Sequence, residues 1–285
     1  MASNPVFDRI EKESSKGYAG FGGAPRQQPT PGRGGQDAMS PQQLQDLYNQ
    51  PAAGPVQTRR LTIDDVVMKT TGLFAIVLVV AAIAWQLTPS IGMPLMLGGI
   101  AATLVLGLVI AFKKVISVPL IITYAVFEGV LVGAISNYYA LMFDAPGTPA
   151  FKGIVAQAVM ATLSVFVGML IAYKTGIIKV TEKFRRIVTM AVIGYAIFAL
   201  INLGYALYTG TRFGIGGTGA LGIGISVFAI GLASAMLAVD FDSIDRAIAA
   251  GAPEKYSWLL AHGLIVTLVW LYLEILRLLG RLRSN

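Results

Sequence analysis

The stretch Leu232-Ala-Ser-Ala-Met-Leu-Ala-Val-Asp-Phe-Asp-Ser-Ile-Asp-Arg246 decides how this chain is read. No charge interrupts residues 220–239, which end inside it. About 20 apolar residues are what a helix needs to cross a hydrocarbon core roughly 30 Å thick. The run then meets three carboxylates, Asp240, Asp242 and Asp245. On a helix Asp242 and Asp245 share a face, and Asp240 lies about 200° from Asp242. Acids at the mouth of a membrane helix bind a cation, hold a proton or sit in water, and the spacing leaves all three open.

The same pattern recurs along the chain. Of 285 residues, 55% are hydrophobic and 13% charged, against roughly 25% charged in a soluble domain. Apolar blocks fall at about 70–87, 91–112, 116–143, 154–173, 187–208, 220–239 and 258–279. Each is expected to be a helix, because no isolated strand satisfies its backbone in lipid. The expectation is an all-α integral membrane protein with a seven-helix domain over residues 61–285 and the lipid bilayer as its solvent. Pairs of small residues four apart, Gly129/Gly133, Gly222/Ser226 and Gly231/Ala235, suit close helix packing. Asn137, Gln157 and Asn202 read as interhelical hydrogen-bonding groups.

Residues 1–60 have a different composition. They hold seven of the 13 prolines and runs such as Gly32-Arg-Gly-Gly35, with no apolar periodicity. They are read as a disordered tail, either a spacer or a docking site for a membrane partner. No apolar core of a signal peptide follows the start. Thr62-Ile-Asp-Asp65 has the form of a capping box that opens the first helix.

The net charge of +7 comes from basic residues that flank the apolar blocks. That placement is a topology signal, and no nucleic acid partner is expected. With the tail in the cytoplasm, twelve basic residues lie inside and five outside. Three of those five, Arg277, Arg281 and Arg283, close the chain and run against the rule, yet the last block is long enough to cross.

Glu128 lies 12 residues past Ile116, about 18 Å into its block. An ionised side chain there costs roughly 2.5–3.5 kcal/mol even on the lenient insertion scale. It must be protonated, paired or facing water. His262, the only histidine, lies at a depth near that of Asp240, and a contact between them would titrate in the physiological range. Glu274 precedes Arg277 at ion-pair spacing, and Thr267 lies two turns earlier on about the same face. No P-loop, His-Glu-x-x-His or serine elbow is present, and the chain has no cysteine. No enzyme, cofactor or thiolate metal site is expected; an intramembrane aspartyl protease is disfavoured by the absence of a Gly-x-Gly-Asp type motif. Oxygen ligands alone suit protons or hard cations such as calcium.

Three places resemble the Bax inhibitor family of multi-pass membrane proteins, in its bacterial and most nearly its actinobacterial branch. Glu128-Gly-Val-Leu-Val-Gly133 resembles the family's Glu-Gly-x-x-x-Gly in an early helix. Val239-Asp-Phe-Asp-Ser-Ile244 resembles its Tyr-Asp-x-x-x-Ile ending of the sixth helix. Leu271-Tyr-Leu-Glu274 and the Leu-Leu-Gly-Arg281 ending resemble its closing helix. These motifs cover about residues 65–285. The resemblance implies seven helices, the last wrapped by the other six, in a bacterial plasma membrane. It also implies a pH-sensitive calcium leak latched by two aspartates sharing a proton. The helix-six aspartate falls on Asp240 if Ile244 is matched, or on Asp242 if the aromatic-Asp pair is. The helix-seven position falls on Thr267 or on Glu274. The family's arginine after the early glutamate is replaced in the region of Asn137-Tyr-Tyr139. Glu128, Asp240 and Asp242 are therefore the leading candidates for an ion pathway or pH gate, followed by Asp245, His262, Thr267 and Glu274. Calcium would be the transported ion. The other reading is an interaction protein that docks a membrane protease or another membrane partner.

Overall fold

The structure is a computed structural model and describes residues 59–113 and 115–284. The expected disordered tail lies outside these residues, apart from Arg59 and Arg60. Six helices follow in order: α1 (Ile63–Phe112), α2 (Val118–Phe143), α3 (Ile154–Lys174), α4 (Glu182–Thr209), α5 (Ala220–Ala249) and α6 (Tyr256–Arg283). A 3-10 turn, Ala150–Lys152, precedes α3. All six α-helices are long and apolar enough to cross a membrane.

The capping box is present as predicted: the Asp65 amide donates to Thr62 Oγ1 at 3.3 Å, and the Thr62 amide to Asp65 Oδ2 at 3.0 Å. The helix it starts is longer than expected. α1 carries the first two apolar blocks in 50 residues as two helical halves joined across a kink, so six elements stand among the described residues where seven spans are expected. It is not straight. Ile91 has non-helical angles (φ −136°, ψ 34°) between Pro89 and Pro94, and proline breaks the ladder of i→i−4 bonds.

The packing of α2 gives the consequence of this kink. Gly129 faces Val77 and Val80, and Gly133 faces Ala81, so α2 runs parallel to the first half of α1. Tyr124 lies against Gly107 and Leu131 against Gly99, so α2 runs antiparallel to the second half. One straight helix cannot satisfy both registers; the chain doubles back near Ile91. The glycines let the backbones approach: a Cβ at Gly133 would sit 2.8 Å from Ala81 Cα, and one at Gly99 would sit 3.0 Å from Leu131 Cβ.

α6 is the central element. In its most apolar window 72% of residues are buried, against 11–44% in the other helices. It touches α1, α2, α3 and α5, and meets α4 through Tyr195 and Glu274. The last helix of the chain thus occupies the place that the family resemblance implies.

The contacts define two ends of the bundle. At the tail-side end, Leu61 N–H donates to the Ala252 carbonyl at 2.8 Å and Glu254 N–H to the Arg59 carbonyl at 3.0 Å, pinning the start of α1 to the α5–α6 loop. At the far end, Arg283 Nη1 reaches Asp144 at 2.5 Å and Nη2 reaches Gln157 at 3.1 Å. Residue 59 and the end of α6 therefore lie at opposite ends, and α6 runs the full length between them.

Candidate functional site

α5 continues ten residues past the apolar block, to Ala249. Charge ended the hydropathy signal without ending the helix. Asp240 is consequently not at a mouth: it lies nine residues before the end of α5, about 13 Å in, and is only 6% exposed. Glu128 lies ten residues into α2, about 15 Å from the same end, and is 4% exposed. Counted along their helices, the two carboxyls lie at similar distances from the tail-side ends of α2 and α5.

The Asp240 carboxyl lies beside the Thr267 side chain of α6. Thr267 Oγ1 also lies 3.2 Å from the Gly263 carbonyl. A hydroxyl has one proton to give. The Thr267 hydroxyl directs its proton at the Gly263 carbonyl, so a bond between Oγ1 and Asp240 would take its proton from the carboxyl. The second carboxyl oxygen, Oδ2, is buried without a partner. Thr267 thus faces Asp240 at the position that a gapless reading of the closing motif points to. Glu274, the other candidate for that position, lies about 10 Å further along α6.

Glu128 is arranged in a similar way. Tyr124, one turn earlier on α2, donates from its hydroxyl to Glu128 Oε1 at 3.2 Å, while Oε2 is buried without a partner. His262 packs its ring edge-on against Tyr124, centroids 4.4 Å apart. The histidine therefore joins the Tyr124–Glu128 group, and its ring contact is to Tyr124 rather than to Asp240. Neither Glu128 nor Asp240 has a cationic partner within 4 Å among the described residues.

The other two aspartates of the motif belong to the tail-side rim. Asp242 accepts from Arg185 of α4 and, at 2.8 Å, from Arg246 Nε. Asp245 accepts from the Tyr173 hydroxyl at 2.9 Å and from Lys174 Nζ at 3.3 Å. They share a helical side, as the spacing predicts, yet bind different neighbours. Arg246 also reaches Glu182 Oε1 at 2.5 Å, and that bond holds the Glu182 carboxyl below the usual range. Below the membrane, the Thr62 hydroxyl lowers the Asp65 carboxyl in the same way, with help from Arg59.

Glu274 makes the ion pair that its spacing suggests, with Arg277 Nη1 at 3.0 Å. It also accepts from the Tyr195 hydroxyl at 2.7 Å and Trp270 Nε1 at 3.3 Å. Two residues escaped the sequence reading. Tyr124 connects Glu128 to His262; its place one turn before Glu128 was the available signal. Arg281 is 1% exposed and buried against Gly222 and Ser226; those two small residues, read as packing, make room for it.

A central helix carrying polar groups through a bundle of helices long and apolar enough to cross a membrane, with two buried acids beside it, defines a multi-pass α-helical membrane protein. The chain belongs to the Bax inhibitor 1 like family, whose sequence profile matches residues 4–284. The match extends into the N-terminal tail, beyond the three motifs that carry the resemblance. No curated protein sequence matches the chain.

Proposed function

We propose that this protein is a passive cation pathway, with calcium as the ion and protonation as the gate. It would lie in a bacterial plasma membrane with its tail in the cytoplasm and cross the bilayer seven times, α1 contributing two crossings joined at Ile91. It carries out no catalysis in this reading. One observation carries the proposal: Glu128 and Asp240 hold buried carboxyls at about equal depth, each with one unpartnered oxygen and no paired cation. Such acids are expensive in a membrane and mark ion or proton routes. Other unpartnered buried polar atoms belong to Thr70, Arg185 and Ser257 toward the tail-side end and to Asn137 and Arg281 toward the far end. Ser257, Asn137 and Arg281 suit a file of water beside α6. A hard dication would be bound through the carboxylate oxygens, and protonation of either acid would remove a ligand.

The experiment is calcium flux into dye-loaded liposomes from pH 5 to 8, comparing wild type with Glu128→Gln and Asp240→Asn. The reading predicts pH-dependent flux that both substitutions reduce. Flux indifferent to both refutes the site; no wild-type flux at any pH refutes the channel.

A second reading is supported by the tail-side pinning. The backbone bonds of Arg59 and Leu61 to residues 252–254 tie the root of the tail to the joint between α5 and α6. A membrane protease or other partner that binds the tail would pull on the two helices that carry Asp240 and Thr267. Deleting residues 2–58 should abolish partner binding and leave flux intact; binding that survives the deletion removes this reading.

A further inference from the structure

The far end of the bundle holds a cation that has no anion. The Arg281 guanidinium is 1% exposed, and no carboxylate lies within 4 Å of it among the described residues. Its neighbour Arg277 is neutralised by Glu274. Arg281 instead donates from Nη1 to the Gly222 carbonyl and to Ser226 Oγ, the latter at 2.7 Å, and from Nη2 to the Phe213 carbonyl at 3.4 Å. The guanidinium carbon lies 5.5 Å from the centroid of the Phe213 ring. A buried charge met only by carbonyls, a hydroxyl and a ring is costly, and such groups in membrane proteins carry function.

What Arg281 holds is the α4–α5 connection, residues 210–219. Gly210, Gly214, Gly216 and Gly217 take positive φ there, a backbone path closed to most side chains. The path turns the segment inward. Phe213 is 7% exposed although it lies in a loop, and its ring sits 6.3 Å from that of Phe143. Asn202 of α4 fixes the other edge: its Oδ1 accepts from Ile215 N–H at 2.6 Å and its Nδ2 donates to the Phe213 carbonyl at 3.4 Å. The segment covers the far end of α6, with Phe213 as its inward plug.

We propose that residues 210–219 form a lid over the far mouth of the route beside α6, that Arg281 latches it, and that the unpaired positive charge makes the latched lid a barrier to cations. The gating role rests on the cation-pathway reading; the latch itself does not. Opening withdraws Phe213 and its carbonyl from Arg281.

The two parts are separated by two measurements on the full-length protein in bilayers. Hydrogen exchange of residues 210–219 reads the latch. Loss of a charge-assisted bond is expected to raise exchange there roughly tenfold or more in Arg281→Gln, with residues 175–181 at the tail-side end unchanged. Asn202→Ala, which leaves the buried arginine in place, is expected to act in the same direction and serves if Arg281→Gln fails to fold. Unchanged lid exchange in the folded variant overturns the latch. Calcium flux reads the gate: faster flux in the variants with the loosened lid supports it. Faster lid exchange with flux equal to a conducting wild type overturns the gate. A wild type that conducts nothing removes the cation pathway and the gate with it, while the exchange result still decides the latch.

Discussion

Gly133→Ala tests the doubled-back path of α1 directly. A Cβ at residue 133 would lie 2.8 Å from Ala81 Cα and 2.9 Å from the Ala81 carbonyl carbon, both backbone atoms of α1. Backbone cannot rotate aside as the tip of a side chain can, so α2 must move away from α1. Overpacking of this kind costs about 1–3 kcal/mol, partly offset by about 1 kcal/mol from the better helix propensity of alanine. Gly98→Ala is the control: it lies on the same pair of helices and has nothing within 4 Å of its added methyl. The control should be neutral or slightly stabilised. For a domain of this size 1 kcal/mol shifts the melting temperature by roughly 2–4 °C. The propensity gain is common to both variants, so Gly133→Ala should melt about 2–12 °C below Gly98→Ala when both are heated in detergent at one scan rate, followed by tryptophan fluorescence. Equal melting of the two variants would refute the register, and with it the reversal at Ile91.

Four further outcomes are expected. Thr62→Val should lose about 1 kcal/mol of stability at neutral pH through the helix cap. Because the Thr62 hydroxyl holds the folded Asp65 carboxyl below its ordinary value, its contribution is present above about pH 4 and lost as pH falls through the folded value; melts from pH 3 to 7 should show a shallower acid limb in the variant. Arg185→Leu, which strands Asp242 on that side, should cost about 2 kcal/mol, and adding Asp242→Leu should recover part of it in a double-mutant cycle. Tyr195→Phe should cost about 1–3 kcal/mol by removing a 2.7 Å bond to buried Glu274, read from the melting temperature. Thr267→Asp should set a second carboxyl against Asp240, so that the two share one proton; flux should gain a pH step that Thr267→Ser lacks.

Most of the fold was legible because hydropathy reports burial in lipid residue by residue. The blocks at 116–143 and 154–173 match α2 and α3 within two residues. Two discrepancies share a cause. The run beginning at residue 220 was expected to stop at Val239, and α4 begins five residues before its predicted block, at Glu182. In both places the helix carries on beyond its apolar block, where charged residues form ion pairs across helices: Glu182 with Arg246, and Arg185 with Asp242. Hydropathy marks where a run of apolar side chains ends and says nothing of where a helix does. The merged α1 is the opposite case. Pro89 and Pro94 were visible, but proline permits either a loop or a kink, and only the contacts of Gly129 and Gly133 with one half and of Tyr124 with the other reveal the reversal.

The site was legible in its residues and less so in its pairings. Glu128 and Asp240 stand out because an acid inside an apolar helix is costly wherever it points. Which acid faces which group depends on helix rotation, and a period of 3.6 residues does not give rotation relative to a neighbour. That is why Asp240 and Asp242 were interchangeable in sequence, whereas in the bundle one is buried against Thr267 and the other is held by two arginines. The same holds for Arg277, Arg281 and Arg283, whose charge argued against a far-side C-terminus. All three are engaged by the protein: with Glu274, with the carbonyls around Phe213 and Gly222, and with Asp144. Arg281 is buried and serves as a structural ligand, whereas Arg283 is exposed and pairs with Asp144 at the surface. With the buried Arg281 set aside, four of the five far-side basic residues remain.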